Sequence, residues 1–432
     1  FPMNLFRTKS IEQSMSDADE PGRKLKRSLS SWDLMIMGVA VAVGAGIFSV
    51  GAKAAANFAG PAVTLSFAIA AVTCALAIMC YAEFATAIPV AGSAYVFTYA
   101  TMGELLAWII GWNLILELFT AGAVIAKYWG IYLSKVFALM GVDIPPSISL
   151  GGVDLYWGAF LIVAVFTVLL VLGTKLSARV GNIFTLVKIG VVLFVIVVGF
   201  TYVKFENYAP FVPTSVPTGG TGAADVMKQS FFGFLTGAAP AQYGTLGIFA
   251  GAALVFFAFI GFEDIVNMAE EVRDPARNLP RAIVGALMIT TLLYVLVSWA
   301  AVRAEAPENL ATSKQPLVLV WQAGNMGNAA ILSVIAIAAA LNGVLAQIVM
   351  ASRVLFGLGH REPQLAVFHR AHARFGTPVL ATVLVTVLVM GAALALPVAT
   401  LAEFASIVLL TVFIVVNWAL IRTKKREPEA PF

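Results

Sequence analysis

Apolar residues fall into ten blocks of roughly 20 or more along this chain, with short polar stretches between them. A helix rises 1.5 Å per residue, so about 20 apolar residues cross the hydrocarbon core of a bilayer. The pattern predicts spans over residues 33–58, 62–88, 96–126, 154–174, 180–203, 246–272, 278–302, 329–358, 377–396 and 399–421. The third is expected to run on as a tilted helix towards Lys135.

Two of these blocks are interrupted by glycine at matching places. The first reads Val41-Ala42-Val43-Gly44-Ala45-Gly46-Ile47-Phe48-Ser49. The second reads Phe256-Phe257-Ala258-Phe259-Ile260-Gly261-Phe262-Glu263-Asp264. A helix broken in mid-membrane frees backbone N–H and C=O groups, which are costly in lipid unless they line a cavity. A pair of such breaks is the sequence pointer to the binding site of a secondary transporter.

Five spans precede the segment 204–245 and five follow it. An odd number of crossings per repeat inverts the second half relative to the first. The expected fold is an all-α membrane protein, a LeuT-type 5+5 inverted-repeat bundle with broken helices 1 and 6. Its predicted divisions are an N-terminal tail at 1–31, a first repeat at 32–203, an extracellular loop at 204–245, a second repeat at 246–421 and a C-terminal tail at 422–432. The long segments 204–245 and 303–328 read either as plain connectors or as lids over an outer vestibule.

The charge distribution orients this arrangement. Basic residues cluster in alternate connections: Arg23, Lys24, Lys26 and Arg27, then Lys175 and Arg179, then Arg273, Arg277 and Arg281. Arg353, Arg361, Arg370 and Arg374 follow, and Arg422, Lys424, Lys425 and Arg426 come last. Fewer fall on the other side, Lys53, Lys127 and Lys135 among them. By the positive-inside rule both termini are expected to be cytoplasmic.

Composition narrows the class further. Apolar residues make up 60% of the 432 positions and charged residues 12%, which excludes an ordinary soluble domain. A net charge of +4 in short connections gives no reason to expect nucleic acid. Cys74 and Cys80 read as small packing residues. His369 and His372 lack further metal ligands nearby in sequence. No P-loop pattern and no nucleophile–base constellation is present, so neither primary pumping nor membrane enzymology is expected. No signal peptide is expected, because the first apolar run is too long for a signal core.

The chemistry then follows from the breaks. At the first, Gly44 and Gly46 let the backbone leave helical geometry, and a half-helix starting at Ile47 would offer N–H groups to a carboxylate. The alternative is a set of small residues that lets helices pack. At the second, carbonyls of Phe257, Ala258 and Ile260 would accept from an ammonium. Phe256, Phe257, Phe259 and Phe262 around Gly261 would add an aromatic wall. An anion end and a cation end together suit a zwitterion, an α-amino acid.

Ionisable residues inside spans are expensive and mark function. Glu117 lies in the third span, Lys188 in the fifth, and Glu263 and Asp264 follow the second break. A buried structural ion pair is the competing reading for each. A lysine that alternates between charged and neutral forms would replace a sodium ion. Glu270 and Glu271 with Arg273, Arg277 and Arg281 read as a cytoplasmic gate network or as solvent-facing helix caps. Asn342 and Gln347 read as pocket lining or interhelical hydrogen bonding.

These stretches resemble the amino acid–polyamine–organocation superfamily, its bacterial cationic amino acid transporter-like branch. The similarity rests on Gly44-Ala45-Gly46-Ile47-Phe48, on Cys80-Tyr81-Ala82-Glu83-Phe84 and on Pro89-Val90-Ala91-Gly92-Ser93-Ala94-Tyr95. It rests also on Gly103 to Trp112 and on the run from Phe257 through Glu270-Glu271-Val272-Arg273-Asp274-Pro275 to Pro280. The resemblance implies that the backbone of Gly44 to Gly46 holds the substrate carboxylate. It implies that carbonyls near Val43, Phe257, Ala258 and Ile260 hold the amine, and that Lys188 and Glu117 take part in proton coupling; Glu263 is a further candidate from its own place after the second break. Two departures stand out. Glu263-Asp264 occupies a place where members often carry a lone Asp, and the family usually has twelve helices against ten here.

The expected function is secondary active transport of L-amino acids by alternating access, coupled to protons. A cationic amino acid or polyamine exchanger and a non-transporting amino acid sensor remain alternatives. The expected partners are an L-amino acid, a proton and the lipid bilayer, for a monomer or weak oligomer without metal or cofactor.

Overall fold

The computed structural model describes residue 8 and residues 25–43, 51–150, 153–201, 205–217, 241–259, 261, 263–304, 330–372, 374, 376–395 and 398–426. The described chain is mostly helical. It begins with α1 (Ser31–Ala42), α2 (Gly51–Ala54), α3 (Val63–Ala87), α4 (Ser93–Thr101) and α5 (Glu104–Leu139). After a small hairpin, β1 (Ile148–Leu150) with β2 (Val153–Leu155), come α6 (Trp157–Leu172) and α7 (Thr174–Thr201). A two-residue pairing of β3 (Val216–Pro217) with β4 (Ala241–Gln242) leads to α8 (Gly244–Phe256). The chain closes with α9 (Pro275–Ala304), α10 (Ala330–Arg361), α11 (Val379–Ala395) and α12 (Val398–Arg426).

Among the described residues, five helical stretches are long and apolar enough to cross a bilayer: Asn57–Ala87, Glu104–Ala138, Arg179–Thr201, Pro275–Val302 and Gly343–His360. Their outer faces carry large apolar side chains. Val72, Leu76 and Met79 on α3, Val197 on α7, and Met288 and Leu292 on α9 are each more than half exposed. In water such a surface would aggregate; in lipid it is the solvated face. With lipid outside, apolar burial no longer drives helix association. Packing and interhelical hydrogen bonds hold the bundle instead. Thr167 and Thr386 hydroxyls meet at 2.7 Å between α6 and α11. The Ser66 hydroxyl donates across from α3 to the Ile248 carbonyl of α8 at 2.8 Å.

The start of α1 follows from local chemistry. Ser30 and Asp33 form a reciprocal capping box, and the Asn182 amide of α7 donates to the other Asp33 oxygen at 3.1 Å. The preceding segment is also tied down. Ser28 and Leu29 N–H groups donate to the Glu271 carbonyl at 2.9 and 3.0 Å, and Arg273 N–H donates back to Leu29.

The third predicted span, 96–126, is corrected. It is two helices, a buried α4 and a 36-residue α5, parted at Gly103. Gly103 sits at φ +110°, a value that side-chain-bearing residues resist. The helix does run past Lys135 to Leu139. Lys127, read from sequence as external, is buried within α5 with its ammonium 4.7 Å from the Tyr156 ring centroid.

The helices are interleaved around α1 and the segment after α8. α5 packs on α10, α11 and α12, while α3 packs on α8 and α9. α1 lies against α7, α9 and α10.

Candidate functional site

Both predicted breaks are places where regular helix stops. α1 ends at Ala42, and Val43 leaves helical geometry at φ −75°, ψ 78° with its N–H on the Val39 carbonyl. Gly44, Ala45, Gly46 and Ile47 lie outside the described residues. At the second break α8 ends at Phe256, Phe257–Phe259 tightens into a 3-10 turn, and a further 3-10 segment runs over Glu263–Glu271. Ile260 and Phe262 lie outside the described residues, as do the side chains of Phe257 and Glu263.

The breaks touch each other. Gly261 adopts φ +120°, and a Cβ built on it would run into the Val41 side chain. Only glycine combines that backbone with that approach. The last turn of α1 also leaves carbonyls without partners in the helix. Three are met, one by the helix's own C-cap and two from other helices. Val43 N–H takes Val39, the buried Lys188 ammonium of α7 donates to Ala40 at 3.0 Å, and the Tyr294 hydroxyl of α9 reaches Ala42. A cation at a helix C-terminus complements the helix dipole.

Tyr294 serves the second break as well, with its hydroxyl 2.6 Å from the Ala258 carbonyl. Its ring is fully buried against Phe259, centroids 4.9 Å apart, and against Phe67 of α3 at 5.7 Å. Phe259 therefore faces this aromatic cluster, with Phe67 at 6.3 Å. Tyr294 was not found by sequence reasoning. Its signal, a tyrosine in mid-span, is weak because aromatic residues are ordinary core.

The remaining acidic candidates separate. Glu117 is buried midway along α5, and its carbonyl accepts from the Thr120 hydroxyl at 2.8 Å. Asp264 is buried, with the Asn267 amide 3.4 Å away on the next turn. Gln347 is buried on α10 against Gly122 of α5, and the Asn342 side chain lies outside the described residues.

The cluster read as a gate network or as solvent-facing helix caps divides in the structure, arginines outward and glutamates inward. Arg273, Arg277 and Arg281 are exposed at the start of α9. Glu271 instead pairs with Arg353 of α10, Nε to Oε1 at 2.6 Å and Nη2 to Oε2 at 3.4 Å, and Glu270 accepts from the Ala91 N–H at 3.0 Å. Arg353, read from sequence as a topology marker, is fully buried. His369 is likewise buried and meets His360 at 2.8 Å, while His372 is exposed.

A helical bundle with large apolar side chains on its outer faces and ionisable groups buried inside is the build of a membrane protein. The chain belongs to the amino acid permease family, whose profile matches residues 29–431, and its function is amino acid transport. It is 35% identical to the branched-chain amino acid permease BcaP of Bacillus subtilis (strain 168), across 99% of this chain and 87% of that protein. It is 33% identical to the methylthioribose transporter of the same strain, with the same coverage. It is 31% identical to the cationic amino acid transporter 4 of Mus musculus, over 99% of this chain and 64% of that one.

Proposed function

We propose that this chain is a secondary active transporter of neutral or cationic L-amino acids, working by alternating access and coupled to protons. One observation carries the coupling: the buried Lys188 ammonium caps the end of α1 through the Ala40 carbonyl. A proton leaving Lys188 removes the positive charge from the helix terminus beside the first break. The substrate carboxylate then occupies the Gly44–Gly46 backbone, and its amine the carbonyls near Val43, Phe257, Ala258 and Ile260. The surrounding architecture is a LeuT-type pair of inverted five-helix repeats, with broken helices 1 and 6 and both termini cytoplasmic. Contact between Gly261 and Val41 supports this reading, since the breaks of the two halves meet in such a bundle. Glu117 and Glu263 are further carriers of the coupled proton. The relatives named for branched-chain and for cationic amino acids support the substrate class.

Uptake into proteoliposomes tests this. An inward proton gradient should drive wild-type uptake, and choline in place of sodium should make little difference. Lys188→Ala should lose most net uptake and its pH dependence. A strict sodium requirement, or a Lys188→Ala variant with the wild-type pH profile, would overturn proton coupling through this lysine.

A further inference from the structure

Tyr294 stands between the two breaks. Its hydroxyl lies within hydrogen-bond reach of the Ala42 carbonyl at the end of α1 and of the Ala258 carbonyl in the 3-10 turn after α8. All three residues are buried, Tyr294 completely. Neither carbonyl is a bystander. Ala42 is among the last residues of its helix, whose carbonyls have no partner in the next turn. Ala258 sits where α-helical hydrogen bonding stops. In an apolar interior an unmet carbonyl is costly.

A phenol hydroxyl carries one hydrogen, so it serves the two acceptors alternately or through one bifurcated bond. An ammonium group carries three and would satisfy both at once. The hydroxyl thus does, with one donor, part of what a substrate amine would do with three. Its ring is seated between Phe67 and Phe259, which aims the hydroxyl at the two carbonyls.

We propose that the Tyr294 hydroxyl is a resident stand-in for the substrate amino group. It bridges the two broken helices when the site is empty, and so allows the empty carrier to reorient. The proposal rests on the alternating-access reading above. A carrier whose breaks are satisfied only by substrate is stable when loaded and poor at returning empty. It exchanges one amino acid for another but accumulates little. A carrier with a resident donor returns empty and performs net uptake. Tyr294 is on this account a positioning residue that sets the balance between net transport and exchange.

The test compares two modes in the same proteoliposomes, using radiolabelled leucine and lysine. Counterflow against internal substrate reports exchange, and uptake into empty vesicles reports net transport. Tyr294→Phe keeps the ring and deletes only the hydroxyl. It should lower net uptake about tenfold, the rate equivalent of one ordinary hydrogen bond, and leave counterflow within about twofold of wild type. Phe67→Leu, which loosens the ring's seat and keeps the hydroxyl, should affect both modes alike. Saturating amino acid should also raise the melting temperature of Tyr294→Phe more than that of wild type, because the amine replaces the missing donor. Should the variant not purify folded, saturating amino acid throughout purification should recover it, and failure to do so counts against the proposal. An unchanged ratio of net uptake to counterflow, or equal loss of both, overturns it while the transport reading stands. A wild type that transports and binds none of the amino acids overturns the transport reading, and this proposal with it.

Discussion

Arg353 of α10 lays its guanidinium along the Glu271 carboxylate at the end of the 3-10 segment, the shorter contact being 2.6 Å, with both side chains almost wholly buried. The Ser352 hydroxyl meets the Arg353 Nη1 at 2.8 Å. The Glu271 carbonyl, meanwhile, accepts the Ser28 and Leu29 N–H groups. One residue therefore joins α10 to the segment entering α1.

Removing one partner of this pair should be far worse than removing both. Arg353→Met alone leaves a buried carboxylate uncompensated, a loss of about 3–5 kcal/mol. Glu271→Leu combined with Arg353→Met removes both charges and should recover most of the melting temperature in detergent. A single variant as stable as wild type would refute a structural role for the pair.

Gly261→Ala should destabilise the protein through two separate effects. The left-handed backbone costs a side-chain-bearing residue about 1–2 kcal/mol, and the overlap with Val41 adds about 1–3 kcal/mol. Val41→Ala in the same chain removes the Cγ1 that meets the new side chain most closely, keeps the tight Cβ contact at 3.0 Å and leaves the backbone term. Melting temperatures should therefore fall in the order wild type, double variant, Gly261→Ala. Equal values for the two variants would show that Val41 is not the obstacle.

Glu362, just beyond α10, should make stability fall as pH rises through the mildly acidic range. Burial pushes its carboxyl above the ordinary carboxylate value, the Tyr95 hydroxyl at 3.2 Å pulls it down, and Glu104 pushes it up. The folded protein therefore holds this proton more tightly than the unfolded chain. The contribution is complete below the unfolded value, near pH 4.3, and is lost as pH rises through the higher folded value. Glu362→Gln keeps a hydrogen-bond partner for Tyr95 and should flatten the dependence of melting temperature on pH in this window. An unchanged slope would remove Glu362 from the account.

Substrate charge is tested by displacement of a bound tracer amino acid. Alanine, leucine, lysine or arginine should compete, while aspartate and glutamate should not. The buried Asp264 beside the second break disfavours a second carboxylate. Displacement by the acidic amino acids alone would overturn the substrate class.

The hydrophobic blocks by themselves determined where helices lie, because bilayer thickness imposes a length that a run of apolar residues displays directly. Val63–Ala87 and Val379–Ala395 fall within one or two residues of the predicted spans 62–88 and 377–396. At the second interruption the glycine was legible too, since φ +120° at Gly261 is a property that the residue type advertises. What the pattern could not carry was partnership. Lys188 was legible as a buried cation, yet its acceptor, Ala40, is a backbone carbonyl 148 positions away, and every residue has one. Glu271 was legible as charged, but its nearest arginines in sequence point to solvent while its partner comes from α10. Tyr294 left only a weak mark, because a tyrosine among apolar residues reads as packing until the fold sets its hydroxyl between the end of α1 and the turn after α8. Span positions are local consequences of lipid thickness. The pairing of donors with freed carbonyls depends on how helices distant in sequence come to lie side by side, and only the tertiary structure decides that.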